Sequence, residues 1–130
     1  MGKRVAIVTG GSSGIGRCTA TALAQSGCVV YELSRRDIPL KGVKHLNTDV
    51  TDETSVIAAI NQIAQEQGKI DIVVNCAGFG ISGAVEFTEL LDAKRQFDVN
   101  FFGMVHMNKA VLPIMREHGG GRIINISSVA

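Results

Sequence analysis

The chain has 130 residues, enough for one compact domain with a core of moderate size. Its 45% hydrophobic and 19% charged content excludes a disordered chain, and a net charge of +1 gives no electrostatic preference for nucleic acid or an anionic membrane. Cys18, Cys28 and Cys76 are scattered and lack C-x-x-C spacing, which argues against a disulfide framework and a zinc site, so reduced thiols in a cytoplasmic protein and no bound metal are expected. An apolar run begins within a few residues of Met1, so no signal peptide is expected, and no run reaches the length of a membrane span.

The first predicted element is a strand near 4–9, carrying Val5 to Val8. It leads directly into Thr9-Gly10-Gly11-Ser12-Ser13-Gly14-Ile15-Gly16, which opens an amphipathic helix near 14–26. A strand, a glycine turn and a helix start in that order make a phosphate site. The glycines let the backbone turn and approach a ligand, while free N–H groups and the helix dipole favour an anion. Gly10, Ser12, Ser13, Gly14, Ile15 and Gly16 are therefore candidate contacts to a nucleotide. A P-loop fails where its chemistry is needed, since Arg17 stands for the phosphate-binding lysine and Cys18 for the magnesium-binding hydroxyl. The spacing also departs from G-x-G-x-x-G, because three residues and then one separate the glycines.

The second strand, near 28–34, ends at Ser34, about 20 positions after Gly14, where a dinucleotide fold faces the adenosine ribose. An acidic residue there would accept bonds from a free 2′-hydroxyl; here Ser34 is followed by Arg35 and Arg36, whose planar donors suit a 2′-phosphate. This favours NADP over NAD and argues against an S-adenosylmethionine site. Glu32 could compete for the ribose only through a register shift that broke strand alternation.

A third strand is predicted near 43–48, and a helix near 52–67 aligns Val56, Ile60 and Ile63 on one face, with Thr51 or Asp52 as its cap. After a strand near 70–75 comes a long helix near 94–117. Phe97, Phe101, Met104, Val111 and Met115 lie on one side of it, and Phe102, Val105 and Leu112 on another. One face is expected to cover the sheet, the other to meet a partner subunit or the rest of a larger chain. Pro113 is expected to kink this helix near Lys109. The last strand, near 121–127, carries Ile123, Ile124 and Ile126 and is expected to form an unprotected, association-prone sheet edge. Strands alternating with helices predict βα units and a parallel sheet.

The loop reads T-G-x-x-x-G-x-G, and Asp49-Val50, Asn75-Cys76-Ala77-Gly78, Asn100 and Ser127-Ser128 follow it in order. On these five motifs the chain, from residue 4 to its end, resembles the N-terminal half of a short-chain dehydrogenase/reductase. The resemblance implies an α/β fold: a Rossmann-type, doubly wound parallel sheet of strand order 3-2-1-4-5, truncated after the fifth strand. Residues 1–130 would then be an NADP-binding domain incomplete at its C-terminus. It further implies that Asp49 and Val50 contact the adenine, that Ala77 and Gly78 line the cofactor, and that Asn75, counted with that cofactor set, stabilises the central sheet. Cys76 departs from the family's usual Asn-Asn-Ala-Gly, a change its small size should allow.

For catalysis the resemblance implies that Asn100 holds a water in a proton relay and that Ser128 orients the oxygen of an alcohol or carbonyl substrate. The family's Tyr-x-x-x-Lys pair lies beyond the serine and is not in this sequence; Tyr31, the only tyrosine, belongs to the second strand. His45, His106 and His118 fall outside the motifs and are read as surface or helix residues. The expectation is a homo-oligomeric NADP-dependent reductase whose first 130 residues alone are inactive. A non-catalytic dinucleotide-binding module and a structural subunit are the alternatives. The stretch Phe79 to Ala84 and the helix around Asp98 to Met104 resemble members that act on apolar ketones, but the substrate itself is not legible here.

Overall fold

A computed structural model describes residues 2–12, 14–80 and 83–127. Five strands, β1 (Val5–Thr9), β2 (Val29–Ser34), β3 (Val43–Asn47), β4 (Ile72–Asn75) and β5 (Arg122–Asn125), form one sheet in the order β3-β2-β1-β4-β5. Every pairing is parallel. The expected 3-2-1-4-5 order is thus the observed one.

The sheet is covered on both sides, which is why its middle strands read as continuous apolar runs rather than alternating ones. Odd positions of β1, Val5 and Ile7, pack with Tyr31, Leu33 and Val73 against α2 (Glu53–Gln67) and α4 (Gly103–Glu117). Even positions, Ala6 and Val8, pack with Val30 and Val74 against Ala20 and Leu23 of α1 (Gly14–Gln25). All five residues of β1 are buried, so it is the strand around which both layers form. The helix α2 starts where Asp52 accepts from Thr54 N at 3.0 Å and Ser55 N at 3.4 Å, and ends at Gly68 in the left-handed region.

The expected helix near 94–117 is where the structure differs. It is three pieces: α3 (Leu90–Phe97), a π-helical segment Asp98–Phe102, and α4. The irregularity therefore precedes Pro113, and α4 runs through the proline to Glu117. The π turn shifts the helical phase, so the face that meets the sheet is Gly103, Met107, Val111 and Met115, at intervals of four. Phe97, Phe101 and Phe102 remain exposed, and of the side expected to be apolar only Val111 and Met115 are buried. No helix among the described residues is long and apolar enough to cross a membrane.

Candidate active site

The C-terminal ends of β1, β2 and β4 open onto a cavity of about 740 Å³. Such a crevice beyond the carboxyl ends of the strands is where open α/β sheets bind ligands. Its floor is the glycine loop. Gly10 takes φ +67° and Gly14 φ +57°, conformations that side chains rarely adopt, and Gly10 N donates to Leu33 O at 3.0 Å, tying the loop to β2. A Cβ at Gly16 would collide with the Gly10 carbonyl, so α1 packs as close to the loop as a backbone allows.

Of the residues predicted to touch a cofactor, Gly10, Ser12, Gly14, Ile15, Gly16, Ser34, Arg35, Arg36, Asp49, Val50, Ala77 and Gly78 all line this cavity. Asn75 does not. It is buried at the end of β4, where its Nδ2 donates to Asn108 Oδ1 at 3.0 Å and Asn125 Oδ1 at 2.8 Å, joining β4 to β5 and α4 behind the cavity. Ser13 and Ser128 lie outside the described residues.

At the β2 end of the cavity, Ser34 Oγ donates to the Arg36 carbonyl at 2.9 Å and shapes the turn that presents Arg35 and Arg36, both exposed. Further along the wall Asp49 accepts from Thr51 Oγ1 at 2.7 Å and Thr51 N at 3.0 Å. The Thr51 hydroxyl, helped by the Thr51 amide and by Arg35 and Arg95, holds the Asp49 carboxyl below its ordinary range against the opposing effect of burial. Val50 is fixed from behind: His106 Nδ1 lies 2.7 Å from its carbonyl, and Gly103 leaves room for its side chain. His106 thus braces the site.

On the opposite wall, Thr9 Oγ1 accepts from Cys76 N at 3.1 Å and Ala77 N at 3.2 Å, which aligns the turn after β4 with the glycine loop. Burial pushes the Cys76 thiol up, so it stays a neutral, small packing group beside Ala6 and Val8. Asn100 lies in the π segment and clamps that turn's far end: its Oδ1 accepts from Phe79 N at 2.9 Å and its Nδ2 donates to Phe79 O at 2.7 Å. A side chain at Gly78 would meet Asn100 Oδ1 at 2.8 Å.

Sequence reasoning gave no site role to Thr9, Thr48, Thr51, Arg95 or Val99, Thr51 having been read only as a helix-cap candidate, although Thr9 clamps two backbone amides and the other four line the cavity. Thr9 was quoted in the loop motif, but its role depends on β4 pairing beside β1, which only the fold reveals. Among the described residues no group of three or more His, Cys, Asp and Glu is placed to hold a metal ion.

The model of the family described as short chain dehydrogenase matches residues 4–130. The chain belongs to that family. It is 45% identical to a 3-ketodihydrosphingosine reductase of Bacteroides thetaiotaomicron over 99% of this chain and 48% of that protein. The ligand-free aldohexose dehydrogenase of Thermoplasma acidophilum superposes with a TM-score of 0.94 at 37% identity, over 97% of this chain and 49% of that one. ElxO with NADP bound superposes with a TM-score of 0.90 at 29% identity, over 98% and 56%. The chain spans about half the length of the curated relatives it matches. It is a member of an oxidoreductase family, with the nicotinamide dinucleotide fold that the family carries.

Proposed function

We propose that the protein carrying this chain is an NADP-dependent reductase that moves a hydride between the nicotinamide and an alcohol or carbonyl substrate. The observation that carries the reading is the ribose end of the cavity, where Ser34, Arg35 and Arg36 line the wall and no carboxylate ends β2. A guanidinium pair suits a 2′-phosphate and a terminal carboxylate would repel it. The donor set fits the whole dinucleotide: glycine-loop backbone for the diphosphate, Asp49 and Val50 for the adenine edge, and Ala77 and Gly78 along the opposite wall. An NADP-bound neighbour of the same fold supports the same reading.

Bound NADPH supplies the hydride; the chain supplies place and orientation. In this reading Thr9 and Asn100 hold the turn after β4 in register with the cofactor, Ser128 orients the substrate oxygen, and a water held near Asn100 relays the proton. The tyrosine and lysine that complete the family's chemistry are expected beyond Ser128, so residues 1–130 alone would bind but not turn over. The substrate to try first is a long-chain 3-keto base, the compound class in the name of the Bacteroides relative. Self-association through the α3 and α4 face belongs to the reading too, supported by exposed Phe97, Phe101, Phe102 and Leu112.

The test is the pair Arg35→Ala and Ser34→Asp in the full-length protein, with dissociation constants for NADP and NAD. Both substitutions should weaken NADP by about tenfold or more and leave NAD within a few-fold. Equal effects on the two dinucleotides would remove the cofactor assignment.

A further inference from the structure

Two residues on neighbouring strands form a hydrogen-bonded pair beneath the glycine loop that the dinucleotide site does not by itself require. Glu32 of β2 and His45 of β3 face each other in register, with Glu32 Oε2 2.5 Å from His45 Nδ1. The Glu32 residue is only 2% exposed, and among the described residues its Oε1 has no hydrogen-bond partner. A Cβ at Gly11 would overlap Glu32 Cγ, so this side chain lies directly under the loop. Burying a carboxylate is costly unless a hydrogen-bond partner holds it, and His45 Nδ1 is the partner present.

Glu32 also shares a strand face with Ser34, two residues on, or roughly 7 Å away. Beside the pair is a second cavity of about 320 Å³, lined also by Asp37, Ile38 and Leu40, which directly follow the arginine turn. That cavity gives the carboxylate room to move if its partner is lost.

We propose that His45 is a positioning residue for cofactor selectivity: it holds the Glu32 carboxylate under Gly11, keeping negative charge away from the 2′-phosphate seat formed by Ser34, Arg35 and Arg36. The inference deepens the NADP reading above and rests on that site being the adenosine seat. A carboxylate freed at this distance repels a phosphorylated ribose and offers an acceptor to an unphosphorylated one, so its release shifts preference toward NAD.

The experiment is titration calorimetry of the full-length protein at pH 8 with NADP and with NAD, for the wild type, His45→Leu, Glu32→Gln and the double variant. The quantity read is the NADP-over-NAD affinity ratio relative to wild type. His45→Leu should lower it about tenfold. Glu32→Gln keeps the shape and drops the charge, so it should raise the ratio, and adding it to His45→Leu should restore the wild-type value or better. A purely structural pair would weaken both dinucleotides alike and leave the ratio unmoved in every variant; that result overturns the inference. If His45→Leu does not fold, Glu32→Gln decides alone, since an unmoved or lowered ratio there contradicts the proposal. A wild-type protein without NADP preference would overturn the cofactor reading, while the shifts between variants would still judge the role of His45.

Discussion

Gly16→Ala separates the two things a glycine in this loop does. Gly16 lies inside α1 and has a buried, helical environment. Helix propensity alone therefore predicts that alanine stabilises by about 1 kcal/mol. Against this, the new Cβ would run into the Gly10 carbonyl, with the Gly10 carbon at 2.8 Å and Gly11 Cα at 3.1 Å, all backbone atoms that cannot rotate away. Overpacking of that kind costs about 1–3 kcal/mol. The clash wins, giving a net loss of about 1 kcal/mol, and the loop must move off the position where, in the proposed site, its amides meet the diphosphate. Dinucleotide affinity should fall at least about tenfold, equivalent to about 1.4 kcal/mol. Gly14→Ala is the control, because its Cβ would meet nothing within 4 Å and only the φ of +57° is strained; it should cost about 1 kcal/mol of stability with a smaller loss of affinity. Urea unfolding and calorimetric titration of both variants in the full-length protein read the two effects. A Gly16→Ala protein that is more stable and binds unchanged would refute the close-packing argument.

Asn75→Ala should remove two hydrogen bonds and leave Asn108 and Asn125 without that partner, lowering stability by about 1–3 kcal/mol in denaturant while changing dinucleotide affinity little, since Asn75 lies behind the cavity. A large affinity loss without a stability loss would place it in the site after all. Asp49, whose carboxyl is held low in the folded protein, contributes stability that is present above its unfolded value and lost as pH falls through the folded one. Acid titration followed by circular dichroism should show that loss below the ordinary carboxylate range, and Asp49→Asn should flatten it; an unaltered acid limb in the variant would contradict the Thr51 clamp.

The sheet was legible because β1, β2 and β4 are short apolar runs bounded by turn residues, and because the alternation of strand and helix leaves few topologies open. The helix α2 was legible from the spacing of Val56, Ile60 and Ile63 and from a cap at Thr51 or Asp52, both local signals, and the structure selects Asp52. The π segment was not. Nothing in Asp98-Val-Asn-Phe-Phe102 is a poor helix former of the kind that breaks a pattern, and the turn is accompanied by Asn100 reaching the backbone of Phe79, 21 positions away. Carrying the helical phase straight through that segment grouped Phe97 and Phe101 with Val111 and Met115 and overlooked Met107. Pro113, expected to kink the helix, lies inside α4, which continues past it to Glu117.

In the site, the glycine loop and the Ser34 turn were found from spacing, Asp49, Val50, Ala77 and Gly78 were implied by the family resemblance, and the residues that brace the cavity from a distance were missed. Thr9, His106 and the Glu32–His45 pair each act across strands or layers that are separated widely in sequence. Their signal is a polar residue in an apolar setting, which local reading assigns to a surface. Substrate choice is illegible for a different reason. The Bacteroides relative and the Thermoplasma neighbour are named for unlike substrates, although this half of the fold is shared by both.

The most direct measurement is a thermal melt of the full-length protein alone, with NADP and with NAD, each at a fixed excess. A ligand at about 100 times its dissociation constant adds about 2.7 kcal/mol to the folded state. A melting temperature raised further by NADP than by equimolar NAD is the result predicted from Ser34, Arg35 and Arg36. An equal rise, or a larger one with NAD, would contradict it.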